Sequence, residues 1–163
     1  MTIEVNVDTS KFDRMMADFP AVLARAQESA LKVIGAEVKS QAERAFKHPH
    51  YRPSPWAPRK PSYIVKVNKK TGKKTKKLDV HPLLIKSGTL SQSIESKMDG
   101  DDTVVVGSSQ EYAGYHQFGT KHMPARPFMP IDENGNLLPR VQRKINKIVE
   151  EALAEEMEKT FGH

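Results

Sequence analysis

The stretch Tyr112 to Met129, Tyr-Ala-Gly-Tyr-His-Gln-Phe-Gly-Thr-Lys-His-Met-Pro-Ala-Arg-Pro-Phe-Met, restricts the backbone most tightly. It holds two Tyr, two Phe, two His and one Arg in eighteen residues. Tyr112 to Phe118 is long enough for about two helical turns. Gly119 follows where a helix needs a left-handed residue to close it. Pro124 and Pro127 hold Met123 and Arg126 extended. The expected path is a short helix, a Gly stop and a stiff arm ending in Phe128. Tyr112, Tyr115 (or His116) and Phe118 or Gly119 recur at three- and four-residue spacing, so one side of the helix is aromatic. Phe118 and Phe128 are both expected in the core. Arg126 is expected to donate a charge-assisted hydrogen bond to a carboxylate or a carbonyl.

Upstream, Ile3, Val5 and Val7 alternate with polar residues and read as a short strand. Asp8, Thr9 and Ser10 offer caps for a first helix from about Ser10 to Ala17, which Phe19-Pro20 should break. From Pro20 to about Lys47, Leu23, Ala26, Ala30, Ile34, Val38, Ala42 and Ala45 recur at helical spacing and predict a second helix with a core-facing, alanine-rich stripe. His48 to Pro61 carries five of the eleven prolines, so it is an irregular extended connection anchored by burial of Trp56, the sole Trp. Two strands, Ser62 to Val67 and Leu78 to Val80, should flank a hairpin-like loop, Asn68 to Lys77, with Gly72 near its tip. In the next segment Ser87-Gly88 marks a turn, and Ser87 or Thr89 can cap a short helical turn holding Leu90. Asp99 to Asp102 is a tight turn into an antiparallel strand, Thr103 to Val106, whose three consecutive valines suggest burial on both faces. One residue of Asp132 to Asn136 should cap a last helix, Leu137 to Thr160, with Val141, Ile145, Ile148, Ala152 and Leu153 inward.

Three segments in order resemble one family. They are Ser54-Pro-Trp-Ala-Pro58, then Leu84-Ile-Lys-Ser-Gly-Thr-Leu-Ser-Gln-Ser-Ile94, then Tyr112-Ala-x-x-His-Gln-Phe-Gly119 with Pro124-Ala-Arg-Pro-Phe128. Together they are similar to the signature of the phage virion morphogenesis family, the tail-completion or head–tail joining proteins of Mu-like and P2-like tailed phages. The resemblance covers about Phe46 to Ile131. It marks Trp56, Ser87, Gly88, Leu90, Tyr112, His116, Gln117, Phe118, Gly119, Pro124, Arg126, Pro127 and Phe128 as structural or interface positions. It implies copies forming a ring at the neck of a virion, six by analogy with hexameric tail rings. The partners it implies are neck, connector and tail proteins, and DNA passes the lumen.

The fold class expected is α+β, with long N- and C-terminal helices packed on a small antiparallel sheet. At 163 residues and 18.3 kDa the chain suits a single domain, with a Lys-rich hairpin-like loop at about 66–80. No apolar run reaches about 18 residues and Met1 to Asp8 has no secretory pattern, so neither membrane nor export is expected. With no Cys, disulfides and thiolate chemistry are excluded, which fits a reducing cytoplasm; the resemblance implies a place at the virion neck, reached from the host cytoplasm during assembly.

Net charge is +6, but Arg59 to Lys86 carries ten Lys or Arg against one acid, Asp79. A mildly acidic body therefore bears one basic feature. Lys69, Lys70, Lys73, Lys74, Lys76 and Lys77 form its centre and lie outside the family signature. They are candidates for contact with an anionic partner, either DNA phosphate or an acidic protein surface. No aromatic interleaves them, so base stacking is not indicated. In the last helix, basic residues lie near the start and glutamates near the end, against the helix dipole; a neighbouring copy could pair the two ends.

No catalytic constellation is visible. There is no Gly-x-Ser-x-Gly elbow and no phosphate-binding Gly-Lys motif. His48 and His50 lack a third metal ligand, and Asp99 to Asp102 lacks the ligand spacing of a calcium loop. Neither metal nor cofactor is expected. Two rival readings are a nucleic-acid-binding protein acting through residues 69–77, and a hydrolase using His116 and Glu111.

Overall fold

A computed structural model describes residues 10–85 and 87–162. The Ile3–Val7 strand expected from the sequence lies outside them. The elements are α1 (Ser10–Lys47), a 3-10 turn (Pro49–Tyr51), β1 (Tyr63–Val67), β2 (Lys74–Leu78), α2 (Thr89–Gln92), β3 (Ile94–Asp99), β4 (Thr103–Ser108), α3 (Ala113–Phe118) and α4 (Pro139–Phe161). The class is α+β with long terminal helices, and the strands form two separate antiparallel hairpins, β1–β2 and β3–β4. Among the described residues no helix is long and apolar enough to cross a membrane.

The chain divides into two compact units, one of residues 1–37, 97–105 and 139–163, the other of 38–96 and 106–138. In the first unit, α1 and α4 run antiparallel. Arg25 Nε binds Glu156 Oε2 at 3.0 Å and Lys144 Nζ binds Glu37 Oε1 at 2.8 Å. These pairs are twelve residues apart on both helices, which fixes the register. Val22, Ala26 and Ala30 of α1 and Val141 and Ala152 of α4 are buried. Alanine at these positions lets helices approach closely.

Two expectations for α1 are corrected. The helix continues through Pro20. Proline there removes one N–H and crowds the Met16 carbonyl, but Met16 and Pro20 are both exposed, so water can take the freed bond. Leu23 is exposed, and the inward residue is Val22, first of the series 22, 26, 30, 34, 38, 42 at four-residue spacing.

The second unit is built around Phe46 and Phe128, both 2% exposed. Ala42, Ala45, Trp56, Leu90, Ile94 and Ala113 complete this core. Phe46 meets Trp56 edge-on at 5.9 Å and Phe128 at 5.1 Å, distances at which aromatic pairs attract beyond their area burial. Arg52 closes the end of α1. Its Nε and Nη2 donate to the carbonyls of Ala45 (2.8 Å) and Phe46 (3.3 Å), and its guanidinium lies 3.9 Å from the Trp56 ring centroid.

Two element boundaries, one cap and one burial differ from expectation. Strand β2 starts four residues before the expected Leu78–Val80 and includes Lys74, Lys76 and Lys77, because Lys74-Thr-Lys-Lys-Leu78 pairs residue for residue with Val67 to Tyr63. The last helix starts at Pro139 rather than Leu137, since Leu137 bridges to Ile131 and proline suits a first helical turn. Asp132 does not cap that helix. Its Oδ1 accepts the N–H of Asn134 and of Asn136, both at 2.9 Å, and the bonds from Asn136 foremost hold its carboxyl below the usual range. On β4, Val104 and Val106 are partly buried but Val105 is exposed, because a two-stranded hairpin leaves one face open. Leu84 takes φ 61°, a left-handed conformation that costs a branched residue about 1 to 2 kcal/mol.

Candidate functional site

The signature stretch folds as a short helix against its own continuation. Helix α3 is six residues long and stops at Gly119, with φ 76° and ψ 180°. The positive φ is as expected, but ψ places the residue outside the left-handed helix, in a region open almost only to glycine. A side chain there would put Cβ 2.8 Å from the Ala125 amide nitrogen and 3.0 Å from the Met123 oxygen. The arm is not wholly extended. Thr120 and Met123 exchange backbone hydrogen bonds of 2.8 and 3.2 Å, making a tight turn, after which the Arg126 amide donates to the His116 carbonyl at 2.7 Å. Pro124 is exposed at the end of that turn.

Gln117 is the latch. It is buried, and its Oε1 accepts the backbone N–H of Phe128 and of Met129, both at 3.0 Å. Trp56 Nε1 donates to the Pro127 carbonyl at 2.8 Å, and Arg126 Nε donates to the Ala57 carbonyl at 3.2 Å. The Trp56 and Phe128 segments, about seventy residues apart in sequence, are thus joined through carbonyls. Arg126 acts as expected, with one Nε bond to a carbonyl. Leu90 enters the same core from α2, where Gly88 at φ 73° is the cap residue and Ser87 Oγ accepts the Thr89 hydroxyl at 2.9 Å.

Phe118 corrects the sequence reading: its ring is 76% exposed. Tyr112 and Tyr115 are exposed with it, so the aromatic side of α3 faces outward while Ala113 and Gln117 face the core. Spacing identified the face but not its direction. Beside Phe118 lies an open cleft of about 610 Å³ whose lining mixes apolar residues, Pro53, Pro127, Ile131 and Leu138 among them, with the polar Ser54, Asp132, Glu133 and Asn134. His116 packs edge-on to Tyr112 at 5.9 Å, and burial first, then the charge of Arg126, lower the pKa of its imidazole. Among the described residues its buried Nδ1 has no hydrogen-bond partner, so Glu111 does not orient that nitrogen. Among the described residues no three His, Asp or Glu gather as a metal site. His48 and His50 are neighbours, with ring centroids 5.7 Å apart.

The six lysines divide between turn and strand. Lys69, Lys70 and Lys73 lie around the Asn68–Lys73 turn, where Asn68 Oδ1 accepts the Lys70 amide at 2.9 Å and Gly72 has φ 69°. Lys74, Lys76 and Lys77 stand on β2 and are exposed. The hairpin root is fixed by Arg59, whose Nη1 meets Asp79 Oδ2 at 2.7 Å and whose Nη2 donates to the His81 carbonyl at 2.8 Å. The single acid of the basic region is therefore engaged at the root, and Tyr63 to Leu78 holds seven lysines and no acid.

Sequence reasoning missed Arg52 and the open face of β1. Arginine just past a helix end was a usable signal for the first, and the alternation of Tyr63, Val65 and Val67 for the second.

The model of the phage virion morphogenesis family matches residues 7–154, beyond both ends of the signature segments. The chain is 35% identical over 54 residues to Mu-like prophage FluMu G protein 1 of Haemophilus influenzae, covering 32% of this chain and 37% of that relative's length. It is 34% identical over 124 residues to the uncharacterized protein MJ0331 of Methanocaldococcus jannaschii, covering 75% of this chain and 83% of the relative. No solved structure matches. The family match takes in all of α1, most of α4 and every signature contact described above, and on that extent the chain belongs to the phage virion morphogenesis family.

Proposed function

We propose that the protein is a non-enzymatic component of a tailed-phage virion, forming a ring at the head–tail junction that completes the tail or connector so that the two halves join. Family membership supports a role in building virions. The observation that carries the finer reading is the outward aromatic side of α3. Tyr112, Tyr115 and Phe118 are exposed within the family signature, beside an open cleft. A signature that served the core alone would bury them, and exposed aromatic patches mark contact surfaces. On this reading the protein acts by binding only, in six copies, with neck and tail proteins on the two faces of the ring and DNA in its lumen. The site is the virion neck, reached from the host cytoplasm during assembly.

Removing the gene from its phage tests this. Full heads and complete but unjoined tails are expected, with joining restored by the protein supplied in trans. Normal infectivity without it would refute the reading. The lysine hairpin supports a second reading, sequence-independent nucleic-acid binding, in which an isolated subunit binds duplex DNA with a strong dependence on salt.

A further inference from the structure

The β1–β2 hairpin has an apolar face that nothing in the described chain covers. Its register places Tyr63, Val65 and Val67 on the same side as Leu78, Lys76 and Lys74. The four apolar residues are about half exposed or more, from 48% at Leu78 to 60% at Tyr63. A lone two-stranded hairpin is marginal in water and gains stability when a helix or further strand packs on its apolar face. Whatever covers this face must be apolar at its centre and acidic at its rim, because Lys74 and Lys76 make no ion pair among the described residues. Duplex DNA meets the charge requirement but offers little to a Tyr-Val-Val-Leu face.

Helix α4 has the matching surface. Val149 and Met157 are exposed, and half-buried Leu153 lies between them at four-residue spacing. From Val149 to Glu158 there are five glutamates and no basic residue. Glu151, Glu155 and Glu156 pair with lysines or Arg25, which leaves Glu150 and Glu158, one residue beyond Val149 and Met157, without an ion pair among the described residues. One surface is apolar and basic, the other helical, apolar and acidic.

We infer that the hairpin of one copy lies on α4 of a second copy, with its apolar face against Val149, Leu153 and Met157 and with Lys74 and Lys76 against Glu150 and Glu158. Donor and acceptor are different surfaces, so the contact is head-to-tail, the kind that closes into a ring when the rotation permits. Lys66 and Lys77, on the opposite face, and the turn lysines remain free for another anionic partner. The inference rests on the reading that copies of this chain assemble, and names the contact.

The test uses the purified full chain. Lys74→Glu with Lys76→Glu reverses the hairpin; Glu150→Lys with Glu158→Lys reverses the helix; a third protein carries all four changes. Sedimentation equilibrium should show concentration-dependent association of the wild type, weakened about tenfold or more by either reversal and recovered in the fourfold variant. The chain has no cysteine, so Val65→Cys with Leu153→Cys gives a clean cross-link, and oxidation should yield a ladder of covalent multimers. A monomeric wild type up to millimolar concentration, association lost but not recovered by the fourfold variant, or an oxidised band at monomer mass only would each overturn the contact. Salt-sensitive DNA binding by a non-associating wild type would assign the face to nucleic acid instead. Phage infectivity is not a readout here, so failure of the charge exchange leaves the junction reading standing.

Discussion

Gln117→Leu removes the latch while nearly conserving volume. In the wild type one side-chain oxygen accepts two backbone N–H groups, from buried Phe128 and partly buried Met129. Leucine fills the space but leaves both donors without a partner. An orphaned buried donor costs about 1 to 3 kcal/mol, so about 3 to 4 kcal/mol is expected for the pair, with Met129 at the lower end for its partial exposure. That is a large part of the roughly 5 to 15 kcal/mol that holds a domain folded, and implies a midpoint lowered by about 6 to 16 °C. Urea unfolding followed by circular dichroism gives the loss. Fluorescence gives its location, because the only tryptophan donates to the Pro127 carbonyl, one residue before Phe128. A red-shifted Trp56 before global unfolding is expected in the variant. Gln117→Glu keeps an acceptor in place and should lose less at neutral pH. A Gln117→Leu protein within about 0.5 kcal/mol of wild type, with an unchanged Trp56 spectrum, would refute the latch.

Gly119→Ala places a Cβ against the Ala125 and Met123 backbone in a conformation suited to glycine, and should cost about 3 kcal/mol in urea titration. Phe118→Ser should leave stability within about 0.5 kcal/mol yet reduce the yield of joined virions in a complementation assay, since its ring is exposed. His116 has a folded-state pKa below its ordinary 6.5 because it is buried. The unfolded chain therefore takes up the proton first as pH falls through about 6.5, and the stability from neutral His116, complete above that pH, declines below it. Denaturation of wild type and His116→Gln at about pH 7.5 and about pH 5.5 should show a smaller decline in the variant.

The backbone of the signature was legible because Gly119, Pro124 and Pro127 restrict dihedral angles locally. Burial of Phe128 followed from the same reasoning, whereas Phe118 did not, since three-residue spacing places Tyr112, Tyr115 and Phe118 on one side without saying which side meets the core. In α1 the unbroken four-residue series from Val22 was present in the sequence, and hydrophobicity alone favoured the larger Leu23. The lysines of β2 read as a loop because like charge suggests solvation, although Lys74-Thr-Lys alternates against a β-branched partner strand. A hydrogen bond from Arg126 to a carbonyl was foreseen, but which residues Gln117, Trp56 and Arg126 meet was hidden for another reason. Each ends on a backbone carbonyl or amide, which every residue carries, so no side-chain type marks the partner.

Gln117 and Phe118 are consecutive, one turned in to hold the arm and the other turned out to solvent. A helix of six residues does not persist alone in water. If the arm detaches, α3 unwinds and the aromatic row of Tyr112, Tyr115 and Phe118 disperses with it. On the proposed reading, a partner recognising this row would thereby inspect the subunit's folding, and a misfolded copy would present nothing to engage. Assembly proofread in this way would exclude defective subunits without a separate checkpoint.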